Sequence, residues 1–383
     1  MSTPARGPLA VSRHAQILDA LAHHGTVRIS DLTSLLDVTA VTVRRDITQL
    51  AAEGLLVKVH GGAAALARTE DGDELVVAPA TGDGGGRSTP SAERSIGMLV
   101  PALDYYWPDI VRSARQVARQ LGVRVVLRGS SYDTDDDRTQ LERLLDSGDL
   151  HGLIAAPNLS APHARETIDW LASAPVPVVL VEREASAPPH DMPLESVVSD
   201  HAGGAAAAVR HLVDAGHRRI GLVVSTESPT SRHVRRGWLQ ASSDAGLPAH
   251  DVVDASLPTG GALDVDPAFE QVVDQLLETR TTALLVHADS EAIGVAQHLQ
   301  QRGLVIPDDV SLISYDDTVV GLFSPALTAV HPSRTSVGAM AMQLLAARLD
   351  DPTRPVHRVL VSPTLNMRES VVAPRARLEP DPH

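Results

Sequence analysis

The chain has 383 residues, a length that at roughly 150 residues per domain predicts two or three domains. It contains no cysteine, which excludes a disulfide framework, a thiolate metal site and a cysteine nucleophile. The formal net charge is −15, but residues 1–66 hold six basic and five acidic residues, so the acidic charge lies in the rest of the chain. This distribution is compatible with DNA contact that is confined to the first segment.

The first residues show no secretory signal, and no apolar run approaches the roughly 18 residues that a membrane span requires. We therefore expect a soluble cytoplasmic protein. Residues 133–137 imitate the start of a calcium loop, but Arg138 and Leu144 occupy the positions of its glycine and glutamate. These acids are interpreted as solvated helix caps, and the 17 histidines are scattered. The sequence predicts no metal site and no cofactor.

The first 66 residues contain three short stretches of helical periodicity, of which the third is the best delimited. Thr39 can serve as its N-cap, and Gly54 ends it. Val43, Ile47 and Leu50 form its predicted buried stripe. The following sequence LLVKVHGGA predicts a strand, a Gly-Gly turn and a returning strand. These elements predict a small winged helix-turn-helix domain.

The exposed face of the third helix suits a major groove, where arginine pairs with guanine or phosphate. The wing is expected to contact the DNA backbone or the minor groove. The predicted DNA-binding residues are Ser30, Thr39, Val41, Thr42, Arg44, Arg45, Thr48, Lys58, His60 and Gly61. The alternative is a helical oligomerisation domain in which the two arginines are merely solvated.

Residues 67–94 are rich in glycine and acidic residues and are predicted to form a flexible linker. After them, nine apolar β-branched runs alternate with helical patterns, which predicts an α/β body of parallel sheets with flanking helices over residues 95–373. We expect lobe 1 at about 95–197 and 331–360, and lobe 2 at about 198–330 and 361–373. Residues 374–383 are predicted to be a disordered tail.

Aromatic and charged residues follow several of the predicted strands, at the edge where ligands bind in open α/β sheets. The aromatic side chains could stack on a sugar or a base, and arginine with aspartate could hold hydroxyls. These residues are Tyr105, Tyr106, Trp107, Glu182, Arg183, Asp289 and Asp316. Each could instead be a core residue, a helix cap or a surface ion pair, and they converge on one cleft only if the body has two lobes.

The first segment and the body each resemble a known protein family. Thr42-Val43-Arg44-Arg45-Asp46, with Val59-His60-Gly61-Gly62-Ala63, resembles the DeoR-type winged helix-turn-helix. The body from Ser95 to about Val372 resembles the sugar-sensing domain of the LacI/GalR family, which shares its fold with periplasmic binding proteins. The motifs that carry this resemblance include Val198-Ser199-Asp200, Gly216-His217-Arg218-Arg219-Ile220, Ala288-Asp289-Ser290-Glu291, Tyr315-Asp316-Asp317 and Arg368-Glu369-Ser370.

The resemblance implies that the helix after Thr39 reads DNA and that the body binds a small effector. The family usually places an effector-binding arginine where this chain has Val234, so Arg235 and then Arg232 are the candidate substitutes. The effector-binding residues predicted in this way are Tyr105, Tyr106, Trp107, Arg183, Arg232, Arg235, Asp289 and Asp316.

The sequence therefore predicts a repressor of a carbohydrate-use operon, which binds double-stranded operator DNA as a homodimer. A small sugar, polyol or nucleoside is expected to release it. An activator of the same architecture is the first alternative, and a solute-binding protein is a weaker one. Asp289 and Asp316 could act as a general base, but the sequence shows no partner acid or nucleophile. We therefore do not expect the protein to be an enzyme.

Overall fold

A computed structural model describes residues 17, 26–28, 32–33, 36, 38, 40–52, 57–59, 62–64, 94–101, 106–130, 137–146, 149–160, 163–188, 190–226, 228–248, 250–258 and 266–374. The chain divides into two units, one before residue 87 and one from residue 87 onward. None of the described helices is long and apolar enough to cross a membrane.

The first unit contains a helix and a small antiparallel sheet among its described residues. Strand β1 (Thr26–Arg28), helix α1 (Ala40–Ala52), strand β2 (Val57–Val59) and strand β3 (Gly62–Ala64) follow one another, with β3 in the centre of the sheet. The predicted stripe of α1 is confirmed, because Val43, Ile47 and Leu50 are fully buried. The predicted returning strand is also confirmed, since β2 and β3 pair as a hairpin.

The second unit is an α/β structure, as predicted. Its strands are β4 (Ser95–Val100), β5 (Arg124–Gly129), β6 (Leu150–Ala155), β7 (Val178–Val181), β8 (Ser186–Ala187), β9 (Met192–Pro193), β10 (Glu195–Ser199), β11 (Ile220–Ser225), β12 (Asp254–Leu257), β13 (Ala283–Val286), β14 (Ser311–Tyr315), β15 (Thr328–His331), β16 (Arg358–Val361) and β17 (Thr364–Asn366). Its helices are α2 (Trp107–Gln120), α3 (Asp137–Asp146), α4 (Ala164–Ala172), α5 (His201–Asp214), α6 (Ser231–Asp244), α7 (Asp266–Glu278), α8 (Asp289–Gln301) and α9 (Arg334–Asp350), with a 3-10 helix at Val320–Leu322.

Two six-stranded sheets form the two lobes of this unit. The order is β16-β10-β7-β6-β4-β5 in lobe 1 and β12-β11-β13-β14-β15-β17 in lobe 2. Every pair in these sheets is parallel except β15 with β17. The chain passes between the sheets three times, after β10, after β15 and after β16. The carboxyl ends of the strands therefore face the boundary between the lobes.

Close helix packing fixes the lobe 1 side of this boundary. Helix α9 packs on α2, and their contact buries Ile110, Val337 and Ala341. Gly338 is required there, because a Cβ atom at this position would lie 2.1 Å from the carbonyl oxygen of Ile110. This close approach places the first residues of both helices, Trp107 and Arg334, at the same edge of the lobe.

Candidate functional site

The candidate DNA-binding face lies on α1. Arg45 and Thr48 are exposed and Thr42 is half-buried, whereas Asp46 is buried. Val41 and Arg44 lie in α1 and Lys58 lies in β2, but their side chains are outside the described residues. Predicted contacts at Ser30, Thr39, His60 and Gly61 also lie outside the described residues. The described part of the helix therefore has one buried face and one face that offers a cation and a hydroxyl.

The inter-lobe boundary of the second unit is organised by the carboxylate of Glu182, which follows β7. One oxygen accepts hydrogen bonds from the Tyr106 hydroxyl at 2.9 Å and the Ser199 hydroxyl at 2.7 Å. The other lies 3.0 Å from the Ser199 amide nitrogen and 3.3 Å from His201 Nε2. Because His201 begins α5 in lobe 2, this buried pair joins the two lobes.

The charge of Glu182 is stabilised where it lies. Burial alone would raise its pKa, but the hydrogen bond and positive charge of His201, with the two Ser199 bonds, lower the pKa to about 2. Burial raises the pKa of Tyr106 well above its ordinary value, and the charges of Glu182 and Asp316 raise it further. Glu182 is therefore ionised and Tyr106 is neutral at physiological pH.

The network continues into lobe 2 through aromatic and histidine side chains. His201 Nδ1 lies 3.1 Å from the Tyr315 hydroxyl, and the His287 ring packs edge-on against Tyr315. His287 Nε2 lies 3.0 Å from the Thr230 hydroxyl. Burial, followed by the charge of His201, lowers the pKa of His287 to about 3, so this ring is neutral in the folded protein.

Protonation of His287 is expected to make stability depend on pH. Its folded pKa of about 3 lies below the ordinary value of 6.5, so the unfolded chain binds the proton more readily. The stabilisation is complete above pH 6.5 and decreases as pH falls towards 3, by about 2 kcal/mol between pH 7 and pH 5. Urea unfolding of His287→Gln should show a correspondingly smaller pH dependence, while the exposed control His163→Gln should match the wild type.

Arg334 makes a second link between the lobes. It begins α9 in lobe 1 and donates from Nη1 to the backbone oxygen of Asp316 in lobe 2, at 2.8 Å. Its guanidinium carbon lies 5.3 Å from the ring centroid of Tyr106, and Nε lies 3.6 Å from an Asp109 carboxylate oxygen. Asp316 is buried and has a φ of +92°, so the turn after β14 is held in a strained conformation at the cleft.

The structure revises the prediction of an aromatic platform after the first strand. Trp107 is buried in the lobe 1 core, where the Arg183 guanidinium carbon lies 5.9 Å from its ring. It therefore positions Arg183 and offers no open face to a ligand. Tyr106 does reach the cleft, but its hydroxyl is bonded to Glu182. Tyr105 lies outside the described residues.

Asp289 is buried at the carboxyl end of β13, and its position is not that of an effector ligand. Its Oδ1 accepts from the Ser314 hydroxyl and the Asp317 amide, and Oδ2 accepts from the amides of Thr318 and Val319. These four bonds fill the acceptor positions of a carboxylate. Asp289 therefore fixes the loop after β14 and has no acceptor position left for an effector hydroxyl.

The structure does not bring Arg235 to the cleft. Its guanidinium pairs instead with Asp254, at the start of the edge strand β12. Arg232 is exposed and, with Arg235 and Arg236, lines a shallow depression of about 390 Å³ on α6. Val234 is buried in the lobe 2 core.

His233 of α6 is half-buried and close enough to charged groups of both lobes for them to shift its pKa. Burial lowers its pKa, and the charges of Arg232 and His201 lower it further, whereas Glu184 of lobe 1 raises it. Sequence reasoning did not select His233, His201 or Arg334, since their roles depend on contacts between lobes. Within the described part of the chain, no group of three or more histidine and acidic side chains is placed to hold a metal ion.

Comparisons with known proteins find matches in both units of the chain. A family model for a DeoR-like helix-turn-helix domain matches residues 13–69, and one for a periplasmic binding protein-like domain matches residues 209–371. Catabolite control protein A of Priestia megaterium is 29% identical over 265 residues, covering 68% of this chain and 76% of that protein. The HTH-type transcriptional repressor PurR of Haemophilus influenzae is 27% identical over 288 residues, covering 73% and 81%.

Solved structures share the fold of the second unit. The transcription regulator CcpA of Lactococcus lactis aligns with a TM-score of 0.60 at 20% identity, covering 72% of this chain and 98% of that chain. A LacI family transcriptional regulator from Enterococcus faecium, solved with bound ribose, aligns with a TM-score of 0.59 at 21% identity, covering 74% and 100%.

The fold and the site thus define a class, in which a two-lobed, periplasmic-binding-protein-like domain and a DeoR-like helix-turn-helix domain occur on one chain. The relatives are transcriptional regulators and not enzymes. The chain is therefore a transcriptional regulator, and the curated relatives that it matches include the repressor PurR.

Proposed function

We propose that the chain represses a carbohydrate-use operon and is released from its operator by a small sugar-like effector bound between the lobes. The observation that carries this proposal is the pair of inter-lobe contacts at the cleft, Glu182 with His201 and Arg334 with Asp316. A rotation of one lobe against the other changes both contacts. A ligand that prefers one arrangement therefore shifts the population of the two.

The residues proposed for effector binding are Tyr105, Tyr106, Arg183 and Asp316. The last three lie at the carboxyl ends of the strands that face the boundary. Arg183 is buried there, with Nε donating to the Pro157 oxygen and Nη1 to the Glu182 oxygen. The ribose-bound regulator from Enterococcus faecium supports a sugar as the ligand that this fold accommodates.

For DNA, we propose that α1 enters the major groove and that two copies bind two half-sites. Arg45 and Thr48 supply the exposed base-reading groups, and Arg44, Lys58 and His60 are assigned to the backbone or the groove walls. A dimer reads a palindrome, because its two-fold symmetry is repeated in the operator.

We assign no enzymatic activity to the cleft. Glu182 has a pKa of about 2, and all its acceptor positions are bonded, so it is a poor general base. The carboxylate of Asp289 is occupied in the same way. Incubation with any bound sugar should return that sugar chemically unchanged.

Footprinting of the purified protein on the DNA upstream of its own gene tests the proposal. The experiment is repeated with a panel of sugars, polyols and nucleosides. We expect a protected palindrome that one compound releases. Protection that overlaps the promoter supports repression, whereas protection upstream of it, with activated transcription in vitro, indicates an activator. Absence of protection at low salt contradicts the proposal.

Replacing Arg183 with alanine is expected to weaken effector binding ten- to hundred-fold, because charged hydrogen bonds are worth about 1.5–3 kcal/mol each. Operator binding without effector should be unchanged. The control is Arg165→Ala, which removes an exposed arginine of α4 from the same lobe. Titration calorimetry with the releasing compound gives the affinity, and equal affinities of the two variants would argue against a role for Arg183.

A further inference from the structure

A second buried acidic residue lies at the cleft edge of lobe 1. Asp137 begins α3 and is only 6% exposed. Its Oδ2 accepts a hydrogen bond from the amide of Asn158 at 2.5 Å, whereas its Oδ1 is buried without a hydrogen-bond partner. A native protein pairs nearly all buried polar atoms, and an unpaired one costs about 1–3 kcal/mol or more when charged.

Arg183 has a buried hydrogen-bond donor without a partner. It is 7% exposed, and its Nε donates to the oxygen of Pro157 at 2.9 Å. Its Nη1 donates to the oxygen of Glu182, but Nη2 is buried without a partner. One unpaired donor and one unpaired acceptor therefore lie at this edge, on cationic and anionic side chains respectively.

The two side chains are held by the same peptide group. Arg183 binds the carbonyl oxygen of Pro157, and Asp137 binds the amide of the next residue, Asn158. Peptide dimensions and these two hydrogen bonds limit the separation between Arg183 Nε and Asp137 Oδ2 to about 8 Å. The unpaired atoms, Arg183 Nη2 and Asp137 Oδ1, lie one group further along each side chain, so at most about 12 Å separates them, which one sugar with a hydrogen bond at each end can span.

Two other buried carboxylates at the lobe boundary have no unpaired oxygen. Glu182 and Asp289 each accept four hydrogen bonds from the protein. Unfilled hydrogen-bonding capacity is thus found on Asp137 and Arg183, which flank one loop after β6, and on the uncharged Ser130 hydroxyl after β5. Such a site offers one donor and one acceptor at almost no net charge.

We propose that Asp137 determines effector specificity by accepting a hydrogen bond from one effector hydroxyl while Arg183 donates to another. This inference rests on the proposed function. A hydroxyl both donates and accepts, so two hydroxyls of one neutral sugar or polyol can satisfy both side chains. A phosphate or carboxylate would satisfy Arg183 but would be repelled by Asp137. The effector class is therefore a neutral polyhydroxy compound and not a sugar phosphate or sugar acid.

The test uses the full chain and two matched panels. The first holds D-ribose, D-xylose, D-glucose, D-galactose, D-fructose, their alditols and nucleosides, and the second holds the corresponding phosphates and sugar acids. Calorimetry measures binding, and release of operator DNA is measured in parallel. We expect the wild type to bind and respond to a neutral compound at least tenfold more tightly than to its phosphate.

Asp137→Asn removes the acceptor charge with almost no change of shape, and it should weaken binding of the neutral compound tenfold or more. The matched control is Asp146→Asn at the exposed end of the same helix, which should bind like the wild type. Tryptophan fluorescence confirms that both variants are folded. If Asp137→Asn were misfolded, the preference of the wild type for neutral compounds or for phosphates and acids would still test the proposed effector class.

Two other results overturn the inference in distinguishable ways. If a phosphate or acid binds more tightly than its neutral parent and releases the operator, the proposed function stands and the role of Asp137 is wrong. Equal affinities of Asp137→Asn and Asp146→Asn for the neutral compound would also leave the proposed function standing and show that the role of Asp137 is wrong. If no compound of either panel affects operator binding, the proposed function itself fails and the inference fails with it.

Discussion

Glu182→Ala is expected to destabilise the second unit by about 3–5 kcal/mol, because removing one partner of a buried charged pair leaves the other uncompensated. The Glu182 carboxylate accepts from Tyr106, Ser199 and His201, and all four bonds are lost together. Urea unfolding followed by tryptophan fluorescence measures the effect. Trp107, Trp170 and Trp238 all lie after residue 87, so this signal reports only on the second unit.

The matched control is Glu166→Ala on α4, whose side chain is exposed and whose ion pairs are expected to contribute little. The pH dependence gives a second check. The folded pKa of Glu182, about 2, lies below its ordinary value, so its stabilisation is complete above about pH 4.5 and is lost as pH falls towards 2. A Glu182→Ala protein that unfolds at the same urea concentration as Glu166→Ala would contradict the inter-lobe network.

Arg45→Ala should reduce operator affinity ten- to hundred-fold, which is the range of one bidentate arginine contact with guanine or of lost phosphate pairing. Arg45 is exposed on α1, opposite the buried Val43 and Ile47, so its removal leaves the helix core intact. Gel-shift titrations at fixed salt measure the affinity, since phosphate contacts make binding strongly salt-dependent.

Effector affinity should be unaffected by Arg45→Ala, because Arg45 lies in the first unit. Arg165→Ala again provides the control for the loss of one positive charge. The relative roles of groove and backbone can also be separated, since a base contact changes sequence preference while a phosphate contact weakens all sequences alike. Unchanged operator binding by Arg45→Ala would remove α1 from the interface.

The nine predicted runs correspond to β4 to β7, β10, β11, β13, β14 and β16, whereas the lobe 2 strands β12, β15 and β17 were not predicted. Strands β4, β11 and β13 are buried along their whole length, and apart from a terminal serine in β4 and in β11 they consist of apolar residues and glycine. The edge strand β12 contains Asp254 and Ser256, and β17 has only three residues. An edge strand can carry polar residues on its open side, so its pattern resembles a loop.

The site residues were predictable where strand position decides them. Arg183 lies two residues after a buried strand, and the structure places it at the lobe boundary. Asp137 was interpreted as a solvated cap, because the Asn158 amide that holds it is distant in the sequence. Arg235 was selected for its nearness to Val234, but Asp254 determines its direction. Such choices depend on tertiary contacts that local patterns do not contain.

The three passages between the sheets have a consequence for biosynthesis. Strand β16 forms the edge of the lobe 1 sheet beside β10, and β17 forms the edge of the lobe 2 sheet beside β15. Neither sheet is therefore complete until residues 358–366 have been synthesised. Domains usually fold one after another as they leave the ribosome, but these two lobes can only be finished together. A premature stop codon before residue 358 would therefore strip an edge strand from both sheets at once and expose their unpaired backbone to aggregation.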